Sequence, residues 1–213
     1  MADLVLYTNP MSRGRMARWM MEEAGLPYEA KIVQYGPEMK SADYRAINPM
    51  GKVPALVHGD TVVTEVAAIC TYVAELAPEA GLIPPAGTPE RGAFYRWMFF
   101  GAGCVDPGVS AASLGVDTSS PEVYGRIGWG TVDAVADTLG ELLADGRPWL
   151  LGETFSAVDV YLGGQIAWGL MFKTLPERPG FADYVARLMN RPAQQRAAAI
   201  DDALMPTPET GTG

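Results

Sequence analysis

Histidine is almost missing from these 213 residues, with His58 the single imidazole. A serine hydrolase needs a base beside its nucleophile, yet His58 falls in a predicted hairpin turn and no serine sits in a G-x-S-x-G context, so that chemistry is excluded. Cysteine is scarce too: Cys70 and Cys104 lie far apart with no C-x-x-C pair. This argues against a disulfide scaffold or a dithiol redox site and for a reduced, cytoplasmic setting. One histidine and two distant cysteines offer no cluster of zinc or iron ligands, and no metal is expected. Basic charge is short, 16 Lys and Arg against 25 Asp and Glu, for a formal net charge of -9. Nucleic acid and anionic membrane surfaces are therefore poor partners. Long apolar runs are lacking as well. Val160 to Phe172 is interrupted by Gly163, Gly164, Gln165 and Gly169 and reads as a buried core helix, and the start MADLVLYTNP has neither the basic residues nor the apolar core of a secretory signal. Gly101-Ala102-Gly103 opens like a dinucleotide loop, but Asp106 stands where the third glycine belongs.

Apolar residues themselves are plentiful, at 48% of the chain, enough for one large or two small domains. Leu4 to Thr8 reads as a buried strand, and a helix from about Arg13 to Ala24 follows, with Met16, Trp19, Met20 and Ala24 at spacings of three and four. Gly25-Leu26-Pro27 stops it. Glu29 to Gln34 reads as a second strand and Ser41 to Ile47 as a short helix. Ala55-Leu56-Val57 and Val62-Val63, parted by His58-Gly59-Asp60, read as a hairpin, and Val66 to Glu75 as a third helix. The order βαβαββα suits an α/β domain over residues 1–84, and with Pro54 it resembles a thioredoxin-like domain. Pro84 to Pro89 breaks the pattern, placing a linker at 85–89, and the apolar periods over 90–204 are nearly all helical, an all-α bundle. There Val132, Val135, Ala136, Leu139, Leu142 and Leu143 line one helix face and Asp133, Asp137 and Glu141 another. Ser156 as N-cap, Asp159 three residues on and Phe155 against Val160 form a capping box with a hydrophobic staple, so Asp159 reads as a folding residue rather than a catalytic acid. Residues 205–213, MPTPETGTG from Met205, read as a disordered tail.

The most informative stretch is Ile47 to Glu75. Pro54 removes a backbone donor at the start of an apolar run, which leaves the backbone of Val53 open to a partner. The hairpin then leads through Thr64-Glu65 into a helix whose first N–H groups attract an anionic group. Asn48-Pro49-Met50-Gly51-Lys52-Val53-Pro54-Ala55-Leu56 resembles the glutathione-binding half of the glutathione transferase family, in its soluble, bacterial-like, serine-type (theta/beta-like) form. Trp149-Leu150-Leu151-Gly152 with the capping box, and Arg191-Pro192-Ala193, resemble its second domain, so the likeness covers nearly the whole chain. The resemblance implies a cis Val53-Pro54 peptide, pairing of the Val53 backbone with the cysteinyl unit of glutathione, Lys52 on the glycine carboxylate and Glu65 on the glutamyl end. The family usually has Ser where this chain has Val66, so one ligand hydroxyl is missing; the Val66 N–H remains.

Activation of a bound thiol requires donors and positive potential. Ser12, in the turn Thr8-Asn9-Pro10-Met11-Ser12 before the first helix, stands where a thiolate meets a hydroxyl and a helix dipole, and serine-type members of the family place a hydroxyl in this turn. It also reads as a simple helix cap. Tyr7 is the rival donor, with core packing as its alternative, and Asn9 the third, with turn shaping as its alternative. Arg13, Arg15 and Arg18 crowd one helix; Arg18 has Glu22 one turn on, and Arg13 is the candidate for the thiolate or the glutathione carboxylates, a salt bridge elsewhere being the other reading. The resemblance places an electrophile pocket at Met11, Phe99, Phe100 and Gly103, each otherwise a core position. It also places Asp106 within reach of a neighbouring subunit's glutathione; its other reading is a helix-ending Asp before Pro107. Cys70 and Cys104 read as packing residues outside the turn where cysteine-type members keep a reactive thiol.

The expected activity is transfer of the glutathione thiolate to a small hydrophobic electrophile by a cytoplasmic, homodimeric detoxification enzyme, with glutathione as co-substrate and no metal. The alternatives are a catalytically weak binding or assembly module on the same fold, and a specialised glutathione-dependent dehalogenase, ether-cleaving enzyme, isomerase or peroxidase.

Overall fold

The computed structural model describes residues 3–205. The expected tail at 205–213 lies, apart from Met205, outside the described residues. By contact the chain divides into two compact units, residues 1–69 with 192–213, and residues 70–191.

The first unit carries a four-stranded sheet in the order β2-β1-β3-β4, with β1 Leu4–Thr8, β2 Glu29–Ile32, β3 Ala55–His58 and β4 Thr61–Thr64. β1 pairs parallel with β2 and antiparallel with β3, and β3 pairs antiparallel with β4. Gly59-Asp60 makes the hairpin turn, with Gly59 at φ 57. β1 alternates buried Leu4, Leu6 and Thr8 with half-buried Val5 and Tyr7, as a strand covered on both faces requires. Helix α1, Gly14–Ala24, buries Met16, Ala17, Trp19, Met20 and Met21 and ends on Gly25 in the left-handed region, as its Gly-Leu-Pro stop predicts. Helix α2, Ala42–Ile47, is capped by Ser41, whose hydroxyl accepts from the Tyr44 N–H. Tyr44 joins Val33 and Met39 in a small core against which Tyr7, Ile47 and Val53 pack. Helix α3, Val66–Leu76, begins in this unit and passes the division after Ile69.

The second unit is helical: α4 Pro89–Phe100, α5 Asp106–Ser113, α6 Pro121–Tyr124, α7 Val132–Leu143, α8 Gly164–Met171 and α9 Phe181–Met189. Two π-helical turns interrupt it, Gly101–Val105 before α5 and Asp159–Gly163 before α8. The first ends two residues before Pro107, whose missing N–H cannot continue an α-helical ladder. Asp106 consequently opens α5 and ends no helix, which corrects the helix-ending reading. The last helix, α10 Pro192–Asp202, packs on α1 and belongs to the first unit, whereas its sequence placed it with the helical region at 90–204.

The capping box forms as expected. Ser156 Oγ accepts from the Val158 N–H at 3.3 Å, and Asp159 Oδ2 accepts from the Ser156 N–H at 2.9 Å. Asp159 does more than return that bond, because its Oδ1 accepts from the Leu150 N–H and the Tyr184 hydroxyl, both at 2.8 Å. Gly163 permits this: a Cβ there would run into the Tyr184 hydroxyl. Burial pushes the Asp159 carboxyl up to about 6, against the opposing pull of these donors. Asp159→Ala leaves two backbone N–H groups and a buried phenol unpaired, and a loss on the order of 3–5 kcal/mol in urea unfolding is expected. The raised folded-state value gives a pH signature as well. Its contribution is fully present below about pH 4 and is lost as pH rises through about 6, so Asp159→Asn should remove that downward slope of stability between pH 4 and 7.

Candidate active site

Strand register decides what meets at one end of the sheet. Thr8, the last residue of β1, lies opposite Ile32, the last of β2; Tyr7 lies opposite Ala55, the first of β3; and Ala55 faces Thr64, the last of β4. The turn after β1, the segment after β2, the peptide before β3 and the start of α3 therefore emerge together. Those four segments hold Asn9 to Arg13, Val33 to Gly36, Val53-Pro54 and Glu65-Val66.

The first turn is held by side chains. Asn9 Nδ2 donates to the Val33 carbonyl and Asn9 Oδ1 accepts from the Met11 N–H, both at 2.9 Å, so this amide shapes the turn. Ser12 is buried at the N-terminal entry to α1; its hydroxyl donates to the Asn9 carbonyl at 2.7 Å and accepts from the Gly14 N–H at 3.0 Å. The Asn9 carbonyl also accepts the Ser12 N–H at 3.0 Å. Arg15 Nε donates to the Pro10 carbonyl at 2.6 Å, and the Tyr35 hydroxyl donates to the Met11 carbonyl at 3.2 Å. Tyr7 is half-buried on the α2 side, its ring 5.9 Å from that of Tyr44 and 5.5 Å from the Lys31 ammonium.

The second segment is equally fixed. Val53-Pro54 is a cis peptide. Just before it, the Lys52 carbonyl accepts from the Tyr44 hydroxyl at 2.6 Å and from Asn48 Nδ2 at 2.8 Å. Burial, helped by neighbouring Tyr7, pushes Tyr44 up to about 12, which keeps it a donor at neutral pH. The Lys40 ammonium donates to the carbonyls of Met50 and Gly51. Gly51 has φ 57, and a Cβ there would strike the Met39 carbonyl. The Lys52 side chain is exposed. Glu65 is exposed at φ 66, a backbone setting uncommon for a side-chain-bearing residue, and Val66 is buried as the first residue of α3.

The arginines separate by role. Arg13 is exposed. Arg15 bonds Asp202 as well as Pro10. Arg18 does not take Glu22; it is buried against Asp201, Nε to Oδ1 at 2.8 Å, and it donates to the Tyr28 hydroxyl, which in turn donates to Glu22. Glu22 is taken by Arg196 of α10 instead. The shift of partner follows from burial: a guanidinium this enclosed needs a carboxylate delivered by a packed element, not a surface side chain one turn away.

Among the electrophile candidates, Met11 stands exposed in the first unit, while in the second Phe99 and Gly103 are exposed and Phe100 turns edge-on to Trp97. Asp106 accepts from the Tyr161 hydroxyl at 3.3 Å. Cys70 is fully buried and burial pushes its thiol far up, so it is no nucleophile; half-buried Cys104 is shifted upward too. Among the described residues, no group of three or more His, Cys, Asp or Glu is placed to hold a metal ion, and no helix is long and apolar enough to cross a membrane. Sequence reasoning passed over Lys40, Tyr44 and Tyr35, which touch this region through backbone carbonyls and so leave no motif, and it quoted Asn48 without giving it a role.

Family models agree with this geometry. Residues 11–76 match the glutathione S-transferase N-terminal domain and residues 102–187 the C-terminal domain. A crystal structure of a glutathione transferase from Methylococcus capsulatus strain Bath superposes with a TM-score of 0.79 at 32% identity, covering 94% of this chain and 99% of that one. The chain belongs to the glutathione S-transferase family. Glutathione transferase is accordingly its enzyme class, and its α/β-plus-helical fold is the family's. A theta-class member from Xanthomonas axonopodis pv. citri, solved with glutathione bound, superposes at TM-score 0.69 and 32% identity over 93% of this chain and 98% of that one. Glutathione S-transferase GST-4.5 of Xanthomonas campestris pv. campestris is 29% identical over 177 residues, 76% of this chain and 81% of its own length.

Gly14 lets the start of α1 lie close against the end of β1, since a Cβ there would overlap the Thr8 hydroxyl and crowd that of Ser12. Gly14→Ala should cost about 1–3 kcal/mol in urea unfolding, whereas Gly92→Ala, where a Cβ meets nothing, should be neutral or slightly stabilising.

Proposed function

We propose that the end of the sheet described above binds glutathione and that the enzyme transfers its thiolate to a small hydrophobic electrophile. The observation that carries this reading is the register, which gathers the Ser12 turn, the cis Val53-Pro54 peptide and the start of α3 at one place. In this reading the Val53 backbone pairs with the cysteinyl unit, with Pro54 fixing the chain beside it. Lys52 meets the glycine carboxylate, and Glu65 the glutamyl amine. The Val66 N–H, at the positive end of α3, takes the glutamyl carboxylate without the hydroxyl that a serine would add. Arg13 lends positive charge. Ser12 donates to the thiolate, ahead of Tyr7 and Asn9. For that the Ser12 hydroxyl leaves the Asn9 carbonyl, which keeps the Ser12 N–H as its donor, so the exchange costs only about 1 kcal/mol. Met11 of the first unit and Phe99, Phe100 and Gly103 of the second are the proposed electrophile-contacting residues.

The remaining parts of the proposal are a homodimer, a cytoplasmic location, a detoxification role, a first domain over residues 1–84, a linker at 85–89 and a helical domain over 90–204 whose last segment, α10, packs back on α1. A second reading, a binding module with weak catalysis, is favoured by one observation: buried Val66 offers no hydroxyl. Loss of one charged hydrogen bond weakens binding by about 1.5–3 kcal/mol, roughly tenfold to a hundredfold. Specialised dehalogenase, ether-cleaving, isomerase or peroxidase chemistry uses the same first half-reaction and differs in the pocket.

Calorimetric titration with glutathione, followed by thiolate absorbance against pH, tests the proposal. Binding with a lowered thiol pKa is expected; binding with an unshifted thiol supports the module, and no binding overturns both. Ser12→Ala should keep glutathione affinity within about threefold and lose at least tenfold in kcat, with Tyr7→Phe milder. The reverse ranking would reject Ser12 as donor.

A further inference from the structure

The turn that presents Ser12 contains Pro10, which contributes a carbonyl and no N–H. A carbonyl oxygen left to swing beside a bound anion repels it. Here that oxygen is held at 2.6 Å by Arg15 Nε, a charge-assisted bond, while the Arg15 backbone N–H bonds the Ser12 carbonyl at 3.2 Å. The same guanidinium reaches the other end of the sequence, with Nη2 2.6 Å from Asp202 Oδ1 at the close of α10. Asp202 is a fixed anchor despite its exposure, because α10 is itself tied to α1 by the buried Arg18–Asp201 pair and by Arg196 on Glu22.

We propose that Arg15 is a positioning residue for the transfer reaction: clamped by Asp202, its guanidinium fixes the Pro10 carbonyl and thereby the placement and polarity of the turn that carries Ser12. The last helix of the chain then acts on thiol activation without touching the ligand. The inference rests on the reading that this turn faces the glutathione thiol.

Arg15→Met frees the Pro10 carbonyl. Glutathione affinity by calorimetry should stay within about threefold, kcat should fall about tenfold, and the apparent thiol pKa in the pH–rate profile should rise by about half a unit. Asp202→Asn should shift both in the same direction by less. The double variant should be no worse than Arg15→Met alone, since both act through one contact. Arg15→Lys keeps the charge without the planar fork that holds two partners at once, and should recover only part of the loss. A lower melting temperature with unchanged kcat and pH profile would overturn the proposal, as would fully additive effects in the double variant. Should Arg15→Met fail to fold, Arg15→Lys and Asp202→Asn, the latter at an exposed position, decide by the same two readouts. Ser12→Ala separates the two claims: if it is fully active while Arg15→Met is impaired, Ser12 is not the donor and the Arg15 clamp stands. If Ser12→Ala is inactive and Arg15→Met is normal, the clamp falls and Ser12 stands.

Discussion

Everything at the candidate site depends on how β3 sits in the sheet. It runs antiparallel between β1 and β4, so its first residue, Ala55, lies beside Tyr7, one residue from the end of β1, and Thr64, the last of β4. A slip of one residue would turn Leu56, fully buried, to the opposite face and exchange it with half-buried Val57. Burial of one such leucine stabilises by about 1.5–3 kcal/mol, so the core itself enforces the register. Site geometry is thus a by-product of packing several residues away. Pro54 helps from the other side by ending hydrogen bonding at the start of the strand, which leaves Val53 outside the ladder.

Charge is arranged with comparable economy. The chain is acidic overall, yet α1 and the residue that precedes it carry three arginines, two of them, Arg13 and Arg15, at the N-terminal end where the helix dipole disfavours cations. The cost is offset by α10. Asp201 is fully buried, and burial pushes its carboxyl up while Arg18 pulls it back; burial likewise acts to lower Arg18, and Asp201 together with Tyr28 more than restores it. Arg18 Nη2 and Asp201 Oδ2 have no partner of their own. A pair with unsatisfied atoms is a modest source of stability, but breaking it by removing one member leaves a buried charge and costs about 3–5 kcal/mol. Its consequence is an address: α10 docks on α1 in one place, and Asp202 is delivered to Arg15 as a result.

Much of this was legible in the sequence because local rules and tertiary packing agreed. The Gly-Asp hairpin, the Gly25 stop, the apolar face of α7 and the Ser156–Asp159 box each rest on neighbours within a few residues, and each formed. What stayed hidden came from distance. Arg18 and Asp201 are 183 residues apart, and no periodicity announces that pairing; a helical rule offered Glu22 instead. The same blindness placed α10 with the helical region, since a helix reads alike whichever unit it packs on. The π-helical turn at Gly101–Val105 is signalled weakly by Pro107, but a proline cannot tell an ended helix from a widened one. Of the candidate residues, Ser12 and Val53 were singled out by their places in a turn and before a proline, and Lys52 and Glu65 by the family resemblance. Lys40, Tyr44 and Tyr35 were not, because each works by bonding a backbone carbonyl that every residue possesses.

That last group shows what kind of site this is. The carbonyls of Asn9, Pro10, Met11, Ser12, Met50, Gly51 and Lys52 all accept hydrogen bonds from within the first unit. A region proposed to receive an anionic tripeptide has most to lose from stray carbonyl oxygens, and here those oxygens are already engaged by donors, two of them cationic. In the proposed reading, a backbone N–H at a helix start, as at Val66, and a hydroxyl able to exchange one acceptor for another, as at Ser12, act without a strong base. The physical demand on the fold is then less to supply a reactive group than to keep the wrong dipoles pinned.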